Sequence, residues 1–267
     1  MQPHSPLFEL TGRWALVCGS SQGIGRACAE LLARQGADVT LIARDEARLQ
    51  AAAREIAAAT DRRADFICAD FRDPSGVREK VAQYIGANGP FQILVNNTGG
   101  PPSGPLLDAK PEELLQAVTM HVVCNHVLVQ ALVPGMKQSG YGRIVNIVST
   151  SVREPIPGLG VSNTTRAAVA AWAKTLSREL APLGITINNV LPGYTGTARL
   201  RSLFEARAAR EGRGVEAIEA EARASVPLGR FARPEEIAAA VVFLASPAAS
   251  YITGVSLAVD GGRIASI

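Results

Sequence analysis

Gly19, Gly23 and Gly25 follow directly on the apolar run 14–18, with Ser21, Gln22 and Ile24 between them. Glycines at a strand-to-helix turn let the backbone bend tightly and bring amide N–H groups against an anion, above all a pyrophosphate at a helix N-terminus. The stretch "WALVCGSSQGIGRACAELLARQGADVTLIAR" reads as strand, turn, helix and second strand, the arrangement that holds a dinucleotide. The end of the second strand selects which one. An acid there would bond both ribose hydroxyls of NAD and repel a 2′-phosphate, but Ala43 is followed by Arg44. Arg44 offers a forked cation to that phosphate, so NADP(H) is expected, the alternative being that Arg44 pairs with a surface carboxylate.

These residues need a layered frame. Short apolar runs at 14–18, 39–43, 66–69, 93–95, 144–148, 185–190 and 257–259 alternate with helical patterns at 23–35, 45–59, 74–87, 111–137, 161–181 and 234–245. Alternation of this kind predicts crossover connections and a parallel sheet, an α/β fold. With 267 residues, 47% hydrophobic and only 5% aromatic, the chain has the material for one large domain with an aliphatic core. Residues 201–224 interrupt the sheet pattern with charged helical material, read either as a lid over a site or as a solvated surface helix.

A net charge of +3 with no long run of one sign gives no nucleic-acid footprint. Cys18, Cys28, Cys68 and Cys124 are widely spaced, without a metal-binding pattern, which fits buried thiols in a reducing compartment, the cytoplasm. The N-terminal "MQPHSPLFEL" has no leader pattern, and no run of about 18 apolar residues suggests a membrane span.

Over nearly its whole length the chain resembles the short-chain dehydrogenase/reductase family, closest to the branch of β-ketoacyl-carrier-protein reductases. The resemblance rests on Cys18 to Gly25 for the glycine motif, Asp70 (with Phe71) in "CAD", and Asn96-Asn97-Thr98-Gly99. It continues through "GRIVNIVS" ending in Ser149, Pro192, Gly193 and Thr197 of "LPGYTGT", and "PLGRFARPEEIA", "FLAS", "YITG" and "VDGG". It implies a Rossmann-type, doubly wound three-layer fold on a seven-stranded parallel sheet and hydride transfer between NADP(H) and a carbonyl or alcohol. The substrate is then a small molecule, free or linked to acyl carrier protein or coenzyme A, and the assembly a homotetramer or homodimer. Asp70, Phe71, Asn97, Gly99, Pro192, Gly193 and Thr197 are implied to touch the cofactor.

The same resemblance exposes a departure. The family uses a tyrosine as proton donor, a lysine four residues later, a serine and an asparagine. Here Ser149 remains, while Ser162 and Arg166 fall at the tyrosine and lysine positions and His121 at that of the asparagine. Ser162 and Arg166 share one helix face, but an aliphatic hydroxyl is far less acidic than a phenol, whose reference pKa is about 10. Arg166 keeps its proton, so it can bind a ribose hydroxyl without joining a relay. Two replacement donors are read from the chain. His121 is expected to titrate near neutrality, with Asn125 one turn on to supply the displaced amide, and Tyr194 carries a phenol beside Pro192-Gly193. Packing roles are the alternative for both. The loop "NNTGGPPSGP" is read as a wall of the substrate site. Catalytic turnover with an unusual donor, dinucleotide binding with little turnover, and non-redox chemistry on the same scaffold all remain open at this point.

Overall fold

The computed structural model describes residues 7–266; residues 1–6, which begin the N-terminal stretch read above, lie outside it. Strands whose residues are buried on both faces demand helices above and below them. This is the pattern of β1 (Trp14–Cys18), β4 (Ile93–Asn96), β5 (Gly142–Ile147) and β6 (Ile185–Pro192). Together with β2 (Asp38–Ala43), β3 (Ala64–Cys68) and β7 (Ser256–Val259) they form one seven-stranded sheet in the order β3-β2-β1-β4-β5-β6-β7, parallel at every pairing. β1 has β2 on one side and β4 on the other. The winding reverses there, which opens a crevice at the carboxyl ends of these strands.

Helices α1 (Gly23–Arg34) and α2 (Glu46–Thr60) cover one face with Leu32, Leu49 and Ile56. Helix α3 (Pro74–Asn88) lies on the other face, where Val77 and Val81 join the second core. Full burial of each such aliphatic side chain contributes about 1.5–3 kcal/mol. Asp45 and Asp73 cap α2 and α3 by accepting from the amides of Arg48 and Gly76.

The expected helix 111–137 is present with one difference. It consists of α4 (Pro111–Val118) and α5 (Cys124–Ser139) joined through a π turn, Thr119–Val123, in which the Cys124 amide donates to the Thr119 carbonyl. The wider turn rotates the face that follows, and π turns of this kind occur often at functional positions. This helical run has the length and mean hydropathy, 1.4, of a membrane span. Here Leu128, Leu132 and Met136 instead pack on the sheet. Helix α6 (Gly160–Leu180) lies on the same face.

The 201–224 stretch is not one helix but two, α7 (Ala198–Glu211) and α8 (Val215–Ala224), broken at Gly212, whose φ is +63°. Leu200, Phe204, Ile218 and Ala222 give this pair a small core of its own, and Arg207 bridges Glu211 and Glu221. Helix α9 (Pro234–Ala245) completes the first face, with Val241 in its core.

One polar seam crosses the sheet. Asn96 donates to Asn146 (2.8 Å), Asn146 to Asn189 (2.9 Å), and Asn189 to the Ser256 hydroxyl (3.1 Å). The three amides are buried and would be costly there unless paired, which they are.

Candidate active site

The glycine turn is a cradle with no room for side chains. A Cβ on Gly19 would sit 2.5 Å from the Asn97 carbonyl oxygen, and one on Gly25 would strike the Gly19 carbonyl. Gly19 and Gly23 both have φ of +59°, which favours glycine. Asn97 ties the turn to the end of β4, donating to the Cys18 and Gly19 carbonyls at 3.3 Å each. Unlike α2 and α3, α1 has no side-chain cap: Gln22 leaves its N-terminal amides free, and its first turn carries no acid. Thr197 faces Gly23, its methyl 3.5 Å from where a Cβ would stand. A bare, acid-free helix N-terminus behind such a turn fits the pyrophosphate of a dinucleotide.

At the end of β2, Arg44 is exposed, and the neighbouring Asp45 is occupied with Arg48 (3.2 Å). Arg48 also donates to the Gln22 amide oxygen across the turn (3.0 Å). It was not singled out in the sequence, where it reads as one more charge in the first turn of α2. Asp70 is gripped by Arg72, whose hydrogen bonds hold its carboxyl below the usual range, with backbone and Coulomb contributions from Arg72 and a further one from Arg44. Phe71 is buried behind it.

The substrate side collects at the ends of β4 and β5. Ser149 is half-buried, and its Oγ accepts from the Ser151 amide (3.1 Å), which leaves its own hydrogen free to donate. Arg166 projects from α6 and gives Nη1 to the Ile147 carbonyl (2.8 Å). Desolvation, with Arg199 adding repulsion, pushes its pKa down to about 10, so it stays charged at neutral pH. Ser162 is one turn earlier on α6 and half-buried; among the described residues it has no side-chain hydrogen-bond partner.

His121 sits in the π turn, 3% exposed, with Nδ1 2.6 Å from the Thr98 hydroxyl and no partner for Nε2 among the described residues. The expectation that it titrates near neutrality is corrected: burial first, then the charges of Arg166 and Arg199, push its pKa well below 6.5, against an opposing backbone hydrogen bond at Gly99. It is a neutral imidazole at pH 7, able to donate or accept but not to serve as a standing imidazolium. Thr98 stands where the family pattern has alanine, so the two departures are in contact. Asn125 is buried on α5.

This burial has a consequence for stability. Below about pH 6.5 the unfolded chain binds a proton at His121 that the folded chain refuses, so stability falls as pH drops from the unfolded pKa toward the folded one. We expect His121→Asn to flatten the loss of Tm between pH 6.5 and 5; an unchanged pH profile would count against a buried neutral imidazole.

Tyr194 packs against Phe204 (5.9 Å between centroids) and Phe231 (5.8 Å), with the Arg263 guanidinium 4.6 Å over its ring. The ring thereby anchors α7 to the strand end. Pro192 closes β6, and Gly193 lies so near Asp260 that a Cβ would be 2.7 Å from its Cα. Gly99 is exposed beside the cradle. The loop after β4 is braced against the segment before α6 by Gly104 N–H to Gly158 O (2.7 Å) and Gly160 N–H to Gly104 O (3.1 Å). Arg199, in the first turn of α7, reaches this loop and donates to the Pro101 carbonyl. It was also missed in the sequence, because nothing local links residue 199 to residue 101.

A family model described as enoyl-(acyl carrier protein) reductase matches residues 19–263. An uncharacterized oxidoreductase of Mycobacterium tuberculosis (strain CDC 1551 / Oshkosh) is 36% identical over 257 residues, 96% of this chain and 94% of that protein. A 3-oxoacyl-[acyl-carrier-protein] reductase of Vibrio harveyi is 33% identical over 257 residues, 96% and 98% of the two chains. Among solved structures, L-sorbose reductase from Gluconobacter frateurii, complexed with NADPH and L-sorbose, superposes with a TM-score of 0.91 at 31% identity, covering 98% of this chain and 100% of that one. A sheet of this order, a glycine cradle at its switch point and a family match over most of the chain lead to one assignment: the chain belongs to the short-chain dehydrogenase/reductase family.

Proposed function

We propose that the protein is an NADP(H)-dependent oxidoreductase that reduces a carbonyl compound, of 3-oxoacyl or related type, without the usual tyrosine donor. The observation that carries this reading is the adjacency of two sites. The cradle of Gly19, Gly23, Gly25 and the uncapped α1 follows β1, and two strands along, past Asn97 at the end of β4, stand Ser149 and the Arg166 bond to Ile147 at the end of β5, both with hydrogen-bonding capacity left over. Arg44, with Ala43 before it and Arg48 in the first turn of α2, supports the phosphorylated cofactor; the related L-sorbose reductase was solved with NADPH.

NADPH supplies the hydride when bound. Ser149 donates its hydroxyl hydrogen to the substrate oxygen, and Arg166 holds positive charge beside the alkoxide that develops there. The proton that completes the alcohol comes from water, with neutral His121, oriented by Thr98, as a group able to pass it on. Helices α7 and α8 serve as a lid hinged at the Tyr194 cluster. The cytoplasm as the site of action is supported by four unpaired cysteines, and a homodimer or homotetramer by the exposed Leu115 and Tyr251.

Ser162 favours a second reading, a dinucleotide-binding protein with little turnover, because its short side chain offers no acid. Deuteride transfer separates the two. With NADPH labelled at the reactive nicotinamide carbon and a panel of ketones and oxo acids, we expect protein-dependent label in an alcohol. NADPH binding with no label in any product would leave the second reading. In the same assay Arg44→Asp should shift the NADPH-to-NADH preference by about 100-fold, the loss of charge-assisted hydrogen bonds at about 1.5–3 kcal/mol plus repulsion. An unmoved preference would remove Arg44 from the phosphate site.

A further inference from the structure

Two guanidinium groups bear on the substrate side of the crevice, and among the described residues neither has an acid partner. Arg166 is held by the Ile147 carbonyl at the end of β5, and Arg199 by the Pro101 carbonyl in the loop after β4. Several other arginines are neutralised by carboxylates: Arg207 and Arg213 share Glu221, and Arg230 holds Glu236. A neutral carbonyl positions a guanidinium without compensating its charge, so this pair stands in uncancelled repulsion. Arg166 is half-buried and Arg199 is open to solvent, so both have N–H groups within reach of a ligand.

Three observations say which anion they await. The diphosphate cradle lies at α1 and Gly23, whereas Arg199 stands over Gly100 in the loop after β4, its Nη2 3.2 Å from the position of a Cβ. The groups that feel the charge of Arg199 are Arg166 and His121, both on the substrate side. His121 adds a buried, unpartnered Nε2 to the same neighbourhood. The planar fork of arginine matches a carboxylate in two parallel hydrogen bonds.

We propose that Arg199, with Arg166 behind it, binds a carboxylate carried by the substrate, so that the compound reduced is a free oxo acid in preference to a neutral ketone or thioester. This rests on the reductase reading above. The carbonyl carbon gains the hydride and its oxygen a proton, giving a hydroxy acid; NADPH becomes NADP⁺, and the carboxylate is unchanged.

The test uses the NADPH-loaded protein with matched probes, 2-oxobutanoate and 4-oxopentanoate against their methyl esters. We expect kcat/KM to favour one acid over its ester by tenfold or more, chiefly through KM. Arg199→Ala should cut that acid-to-ester ratio at least tenfold, and Arg199→Lys should restore part of it. Equal use of acid and ester would overturn the carboxylate assignment while leaving the reductase reading intact. A fall in NADPH affinity in Arg199→Ala as large as the fall in acid use would also overturn it, by moving Arg199 to the cofactor. A third arm needs no turnover: calorimetric titration of the NADP⁺ complex with each acid. Acid binding that Arg199→Ala abolishes would sustain the receptor even if no probe were reduced, and failure of every acid to bind would end it.

Discussion

Ser149→Ala is expected to lower kcat/KM for carbonyl reduction by about 10²–10³, the effect of removing one donor aimed at a developing oxyanion, about 2.7–4 kcal/mol. The Ser149 hydroxyl already accepts from the Ser151 amide, so its hydrogen is directed elsewhere, and the side chain is half-buried at the end of β5. A purely structural role predicts a different pattern. Loss of the cap on the short turn Thr150–Val152 would cost about 0.5–2 kcal/mol of stability and leave the rate of folded protein untouched. Measuring kcat/KM, NADPH affinity and Tm on one preparation separates these. A lower Tm with full activity would remove Ser149 from the reaction.

The second large effect runs upward. Ser162→Tyr combined with Arg166→Lys is expected to raise the rate of reduction by about 10²–10⁴, the usual contribution of a positioned general acid. Residues 162 and 166 lie one turn apart on α6, so a phenol and an ammonium placed there share a face, and the cation lowers the phenol's pKa. The exchange removes the Arg166 bond to Ile147 and the forked donor that backs a substrate carboxylate, so the gain should be larger on methyl esters than on oxo acids. If the double variant binds NADPH normally and shows no gain on either, proton transfer does not limit the parent protein.

Much of the frame was legible because it depends on local pattern. All seven strands fall within two residues of the apolar runs that announced them, since a strand buried on both faces needs an unbroken β-rich stretch. The glycine turn was equally plain, as only glycine tolerates contact with Asn97 and φ of +59°. What stayed hidden depends on contacts between distant segments. The π turn adds one residue to a helix without altering its composition, so residues 111–137 read as uninterrupted. His121 looked like a group that titrates near neutrality because its burial, and the two arginines that reach it from α6 and α7, have no trace in nearby sequence. Thr98 was noticed as a departure from the family pattern, but its partner 23 residues away was not. Residues 201–224 carried charge enough to look solvated, while the Leu200, Phe204 and Ile218 core that joins two helices appears only once Gly212 breaks them.

The chain of amides from Asn96 through Asn146 and Asn189 to Ser256 also bears on the crevice above it. Those four residues are mutual partners in the sheet register. A strand that slipped by one residue would turn its amide to the opposite face and strand its neighbours without partners, a fault costing about 1–3 kcal/mol for each buried group left unpaired. The seam thus works as a levelling line drawn across four strands. Asn97 follows it by one residue, just beyond β4, Ser149 by three, beyond β5, and Pro192 by three, at the end of β6. The starts of three separate loops are thereby set to one height, and the floor of the pocket is fixed before any ligand arrives.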